Sequence, residues 1–270
     1  MTDELTNKDF KNISRLVYEL CGINLHEGKK ALVSARLGKN LRKGGFKSFD
    51  EYLRFVRTKE GSDELILMIN SLSTNLTSFF REAKHFLKLE EILPELLGTQ
   101  RRPKLRVWSA GCSTGEEPYS LAIMLSEAIS GHSVDLKILA TDISTGTLQT
   151  AVAGVYSEDR LKDVPRPLLR KYFQLGQERW EGHYRVKKSL KDIIEFKRFN
   201  LMDKPVFNNT FDVIFCRNVM IYFDKKTQNG LVNRFCDYLK QGGYLFIGHS
   251  ESLTGLAHRF KYDEPTVYRK

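Results

Sequence analysis

Four short apolar runs set the strongest limit on how this chain folds. KLRVWSA (104–110), DLKILATD (135–142), FDVIFCRN (211–218) and GGYLFIGHS (242–250) are brief and nearly unbroken in hydrophobicity. A strand reads this way when both of its faces are buried, as in a parallel sheet covered by helices on each side. Helical stretches separate them, EEPYSLAIMLSEAI after the first and STGTLQTAVA after the second. The alternation predicts an α/β domain with a doubly wound sheet over residues 101–270. Residues from about 154 to 190 break the rhythm. There KYFQLGQERWEGHYRVKK reads as a small antiparallel insertion, with Gly176 and Gly182 in its turns.

The front of the chain has a different period. Phe10, Ile13, Val17 and Leu20 recur at helical spacing, and Gly22 stops them. A second helix is predicted over about 28–43, and Ser48 with Glu51 matches a capping box for a third. Leu65, Ile66, Ile69 and Leu72 mark a fourth, so residues 1–72 form a small all-α domain. Between the two domains STNLTSFFREAKHF (73–86) fits neither period, and residues 73–100 are assigned as a linker plus one amphipathic helix.

Charge and cysteines narrow the classes. The chain opens without a basic and then apolar leader, and no apolar run reaches the ~20 residues that span a bilayer. Its four cysteines lie far apart with no CxxC, so neither a disulfide framework nor a metal site is expected, and a reducing cytoplasm fits. Net charge is +10, and residues 26–59 hold much of the excess. Lys29, Arg36, Lys39 and Lys43 cluster on one side of the second helix as a candidate docking face for an acidic partner; a solvated face is the alternative. That helix lacks the interleaved aromatics of a nucleic-acid surface.

Several residues stand where open α/β sheets bind ligands, at the carboxyl ends of strands. SAGCSTGEEPYS (109–120) follows the first strand, with Gly111 and Gly115 placed to let backbone approach a ligand. It lacks a third glycine, and Glu116-Glu117 would repel a pyrophosphate. Glu116, next to the turn, is read as facing a ligand, and Glu117 as complementing the helix dipole. Asp142 ends the second strand, where a carboxylate accepts both ribose hydroxyls; the alternative is an N-cap near Ser144. Asn200 and Leu201 end another strand-like run, where an amide and an apolar side chain suit an adenine. Arg217, Asn218 and Tyr222 follow the strand FDVIF. A structural ion pair and a core tyrosine remain open for Arg217 and Tyr222.

Taken in order, STNLTSFFRE, SAGCSTGEEPYS, LATDIS, FNL, CRNVMIYFD and GHSESL resemble the chemotaxis receptor methyltransferases, the CheR family, over nearly the whole chain. The resemblance implies a cytoplasmic, Rossmann-like enzyme that uses S-adenosylmethionine to methylate glutamate side chains on the cytoplasmic signalling region of chemoreceptors, releasing S-adenosylhomocysteine. It implies cofactor contacts at Asn75, Thr77, Arg81, Glu116, Asp142, Asn200, Leu201, Arg217 and Asn218. It places Arg81 and Tyr222 at the reacting centre, with Phe79 and Phe80 anchoring the linker. Some members grip a receptor's C-terminal peptide with the β insertion; a plain hairpin with Trp180 packed inward is the alternative here. No metal, nucleic acid or membrane insertion is implied. A nucleic-acid methyltransferase is disfavoured because CRNVMIYF stands where an Asp/Asn-Pro-Pro-aromatic motif belongs. A non-catalytic cofactor-binding signalling module is the remaining rival.

Overall fold

The computed structural model describes residues 4–99, 101–204 and 210–270. Its helical front comprises α1 (Asn7–Cys21), α2 (Lys30–Gly44), α3 (Phe49–Phe55) and α4 (Ser62–Leu72). Each boundary has a local cause. The Thr6 hydroxyl accepts from the Asp9 N–H, and Gly22 closes α1 at φ 72°, donating to the Tyr18 carbonyl. Ser48 caps α3 by accepting from the Glu51 N–H, while the Glu51 carboxylate reaches back to the Lys47 N–H at 2.7 Å. Ile13, Val17, Val33, Leu37, Leu41 and Tyr52 are fully buried between these helices.

After an irregular linker come α5 (Lys84–Leu97), β1 (Lys104–Ala110), α6 (Glu116–Ala128), β2 (Asp135–Asp142) and α7 (Thr145–Ala153). The insertion follows: β3 (Val155–Ser157), α8 (Arg166–Tyr172), β4 (Phe173–Leu175), β5 (His183–Val186) and α9 (Lys188–Lys191). Then β6 (Ile194–Arg198), β7 (Phe211–Cys216), α10 (Lys225–Tyr238), β8 (Leu239–Ile247), β9 (Lys261–Glu264) and β10 (Val267–Arg269) complete the chain.

The main sheet has the order β6-β2-β1-β7-β8-β10-β9. Strands β6 to β8 pair in parallel, and the β9–β10 hairpin joins antiparallel. Alternate residues feed opposite cores, as the pleat requires. Leu105, Val107, Val213 and Phe215 face α5 and α6. Trp108, Ile214, Leu245 and Ile247 face α10. The chain leaves β1 toward β2 and β6, then returns to place β7 on the other side. Loops after β1 and β7 therefore diverge, and a crevice opens over the carboxyl ends of the strands.

The insertion is a three-stranded antiparallel sheet with β5 at its centre. Gly182 turns at φ 74°, and the Gly176 N–H donates to the His183 carbonyl at 2.7 Å. Trp180 is 43% exposed, its ring set edge-on to His183, so it does not pack inward. Among the described residues no helix is long and apolar enough to cross a membrane.

Phe79 locks the linker to the insertion, with edge-on contacts to Tyr156 at 5.0 Å and Phe173 at 5.7 Å. Phe80 is only partly buried and packs on Phe86. Phe79→Ala is expected to destabilise the protein by about 3–5 kcal/mol, the range for a lost core aromatic. Phe80→Ala should cost less than half of that in the same denaturant titration. Equal losses would show that the linker is held by backbone bonds rather than by the Phe79 ring.

Candidate active site

The crevice is roofed by the helical front and walled by the linker. Ile23, Lys29 and Leu32 line it from the first domain, and Asn75, Thr77 and Arg81 line it from the linker. From the α/β domain come Gly111, Glu117, Asp142, Leu201, Arg217 and Tyr222. Ser113, Asn200 and Asn218 also reach it.

Three side chains of the α/β domain fasten the linker backbone. The Ser113 hydroxyl donates to the Asn75 carbonyl at 2.9 Å, and the Ser120 hydroxyl accepts from the Phe80 N–H at 2.9 Å. Arg217 Nη1 donates to the Arg81 carbonyl at 2.7 Å. The Arg81 side chain lies nearer solvent and donates through Nη1 to the Leu76 carbonyl. Backbone in the left-handed region gathers here at Phe80 (φ 52°), Glu82 (57°), Ser113 (50°) and Asn218 (57°). Such conformations cost of order 1–3 kcal/mol each and persist where the surroundings dictate them.

The two glutamates after Gly115 exchange the roles read from sequence. Glu116 is fully buried outside the crevice, taking the Thr114 hydroxyl and pairing with Arg160 of the insertion. Burial raises its pKa. Glu117 lines the crevice, accepts from the Ser109 hydroxyl at 2.7 Å and pairs with Arg217 Nε at 2.8 Å. The first helical residue after the turn rotates toward the insertion, and the second toward the crevice. The glycines also serve the protein itself. A Cβ on Gly115 would meet the Tyr156 hydroxyl at 2.8 Å and Ala151, and one on Gly111 would meet Val219 at 2.5 Å. Both have positive φ, so glycine is required twice over.

Asp142 is 9% exposed, and its carboxylate accepts from the backbone N–H groups of Ser113 and Ser144 at 2.8 and 2.9 Å. Ser144, rather than Asp142, caps α7 through its hydroxyl. Burial pushes the Asp142 pKa up against those two bonds. Asn200 lines the crevice, but part of its amide is engaged: Nδ2 donates to the Leu20 carbonyl at 2.7 Å, and Oδ1 accepts from the Met202 N–H. Tyr222 is half-buried at the crevice, not in a core, and its carbonyl accepts from the Asn24 N–H.

The docking set divides. Lys29, Lys39 and Lys43 are exposed, and Lys29 reaches the crevice. Arg36 instead turns inward and donates to the Leu72 and Ser73 carbonyls, closing the end of α4. It is a structural residue of the helical front.

Glu251 escaped the sequence reading as a functional position. It is 8% exposed, and its carboxylate accepts from the N–H groups of Asn218, Gly248 and Ile221, which shapes the loop carrying Asn218 and Tyr222. The available signal was a lone acid just beyond a buried strand, in GHSESL.

Comparison with known proteins agrees with this layout. Residues 8–73 match the CheR methyltransferase, all-alpha domain, and residues 75–269 match the CheR methyltransferase, SAM binding domain. A chemotaxis protein methyltransferase of Borreliella burgdorferi is 45% identical over 98% of this chain and 95% of its own. Its namesake in Salmonella typhimurium is 42% identical over 99% of this chain and 92% of its own. That of Escherichia coli is 41% identical over 99% and 93%. An all-α domain roofing a crevice at the switch point of a doubly wound sheet, with these matches along its length, belongs to the CheR family of S-adenosylmethionine-dependent chemotaxis methyltransferases.

Proposed function

We propose that this enzyme methylates glutamate side chains on the cytoplasmic signalling region of chemoreceptors, as an adaptation step in chemotaxis. One observation carries the choice of a carboxylate acceptor. At the crevice the cations Lys29 and Arg81 have no ion-pair partner among the described residues, whereas the deeper Arg217 is already paired with Glu117. The outer end is thus left positive for an incoming anion, and exposed Lys39 and Lys43 continue that charge along α2.

The residues present suit the cofactor. Across the strand order β6-β2-β1-β7 the crevice offers Asn200 and Leu201, then Asp142, then the glycine turn with Glu117, then Arg217 and Asn218. In this reading Leu201 and the Asn200 backbone meet the adenine. Asp142 takes the ribose hydroxyls, and the Glu117–Arg217 pair complements the zwitterionic amino-acid end. When bound, the cofactor supplies an electrophilic methyl carbon. A glutamate acceptor, with a reference pKa of about 4.3, is already ionised at neutral pH and needs no base. The chain's task is then to hold that carboxylate in line through Arg81, with Tyr222 beside it, and to keep water out under the helical roof.

The direct test is transfer of labelled methyl groups to receptor fragments, tRNA and DNA. Alkali-labile label on receptor fragments is expected, lost when the modified glutamates are replaced by alanine. Label on nucleic acid, or label stable to alkali, would overturn the reading. In the same assay Arg81→Ala should lower turnover at least tenfold, the scale of a lost charge contact at the reacting centre. Near-normal turnover would remove Arg81 from that centre.

Asp142→Asn should weaken S-adenosylhomocysteine binding by about 1–3 kcal/mol, with the fold retained. Unchanged affinity in calorimetry would confine Asp142 to shaping the turn at Ser113 and Ser144. Reversing Lys39 and Lys43 to glutamate should raise the KM for receptor and flatten its salt dependence, because exposed charges steer encounter. Cofactor affinity should stay the same, and an unchanged KM at low salt would return both lysines to the solvent.

A further inference from the structure

Behind Arg217 lies a buried histidine that the chemistry above does not use. His85, the second residue of α5, is 1% exposed and wedged edge-on against Phe246 at 5.5 Å and His249 at 4.8 Å. Both ring nitrogens are engaged: Nδ1 lies 3.0 Å from Arg217 Nη1, and Nε2 lies 2.7 Å from the Thr266 hydroxyl. Glu82, His85 and His249 stand close enough to suggest a metal site. A cation there would have to displace Arg217 from both the imidazole and Glu82, so the cluster reads as a holder of guanidinium.

Proton positions along this chain follow from donor counting. The Thr266 hydroxyl donates to the Pro265 carbonyl at 2.7 Å, so toward His85 it acts as acceptor. Nε2 therefore carries the hydrogen, and Nδ1 presents a lone pair to Arg217, which has only donors to offer. The charged and titratable groups around the ring are Arg217, Glu82 and His249; burial first, and then the Arg217 charge, bring the His85 pKa down to about 4. The ring is neutral at physiological pH and keeps that lone pair.

The guanidinium is thus gripped on one side. Nε pairs with Glu117, and Nη1 is shared by the Arg81 carbonyl and His85, with Glu82 at 3.5 Å. Among the described residues no protein group accepts from Nη2. We propose that His85 is a positioning residue: oriented by Thr266, it holds Nη1 so that Arg217 offers Nη2 to the carboxylate of the cofactor's amino-acid end. This rests on the reading that Arg217 meets that end. It also gives the turn between β9 and β10, where Thr266 sits at φ 65°, a part in the site.

Two ligands and two near-isosteres test it. S-Adenosylhomocysteine carries the amino-acid end, and 5′-methylthioadenosine lacks it. Asparagine places an oxygen acceptor near Nδ1, and glutamine places its amide near Nε2. Calorimetry on the full chain should show S-adenosylhomocysteine weakened about tenfold by His85→Gln, the scale of one charge-assisted hydrogen bond, with methylthioadenosine little changed. His85→Asn should stay within about threefold of wild type for both ligands. Thr266→Val, distant from the crevice, should shift the ratio of the two affinities in the same direction, and it serves if His85→Gln fails to fold. Equal weakening of both ligands by His85→Gln, or equal losses for Asn and Gln, would overturn the positioning role and leave His85 a packing residue. Arg217→Gln separates the two claims. If it leaves S-adenosylhomocysteine binding intact, the assignment of Arg217 fails; if it weakens that ligand alone while His85→Gln changes nothing, only the His85 proposal fails.

Discussion

The ion pair between Glu117 and Arg217 joins three segments that are far apart in the chain: the first turn of α6, the end of β7 and the linker, whose Arg81 carbonyl takes another Arg217 N–H. Both side chains are almost entirely removed from water, with relative exposures of 10% and 3%. Such a pair adds little net stability, because desolvation cancels much of the attraction, yet removing one partner strands a buried charge. Its effect is on geometry. The linker has no regular hydrogen-bond ladder, so its path past the crevice is set by Arg217, Ser113 and Ser120. Glu82, held below its ordinary pKa by Arg217 and the His249 N–H although burial opposes them, draws the loop after β8 into the same arrangement.

The roof is joined to the α/β domain by two backbone contacts and a side-chain bond on one side of the crevice. Ile23 bridges Phe223, the Asn24 N–H donates to the Tyr222 carbonyl at 2.8 Å, and the Tyr18 hydroxyl donates to Asp224 at 2.8 Å. On the other side of the crevice Asn200 reaches the last turn of α1, and Asn70 bonds Thr145 at the start of α7. The helical front is therefore part of the crevice.

Most of the fold was legible because burial on two faces leaves a plain pattern. The unbroken apolar runs of β1, β2, β7 and β8, and the 3.6-residue period of α1 and α5, needed no knowledge of partners. The failures share a cause. Glu116 and Glu117 have identical side chains and adjacent positions, and their directions depend on Arg160 and Arg217, 44 and 100 residues away. Arg36 belonged to a basic cluster by spacing, yet the end of α4 supplied two carbonyls that sequence could not place beside it. His85 stood in the stretch 73–86 that fits neither period, and its place behind Arg217 depends on a residue 132 positions away. Side-chain type shows what chemistry is available; tertiary contacts decide which groups keep a free valence for a ligand.

The exchange of roles between the glutamates also explains how the insertion bears on the site. The Tyr156 hydroxyl donates to the Thr114 carbonyl at 2.7 Å, and Arg160 donates to the Thr114 hydroxyl at 3.0 Å while pairing with Glu116. The glycine turn is thus clamped between the insertion behind it and Asp142, which takes the Ser113 N–H in front. Ser113, in left-handed backbone, then passes the constraint to the linker by donating to the Asn75 carbonyl. Anything that shifts β3 or the turn after it must move Thr114, and Thr114 is one residue from the serine that holds the linker. The insertion needs no residue of its own in the crevice to influence the crevice's shape: it acts through Thr114 and Glu116 on the glycine turn, and through Phe79 on the linker.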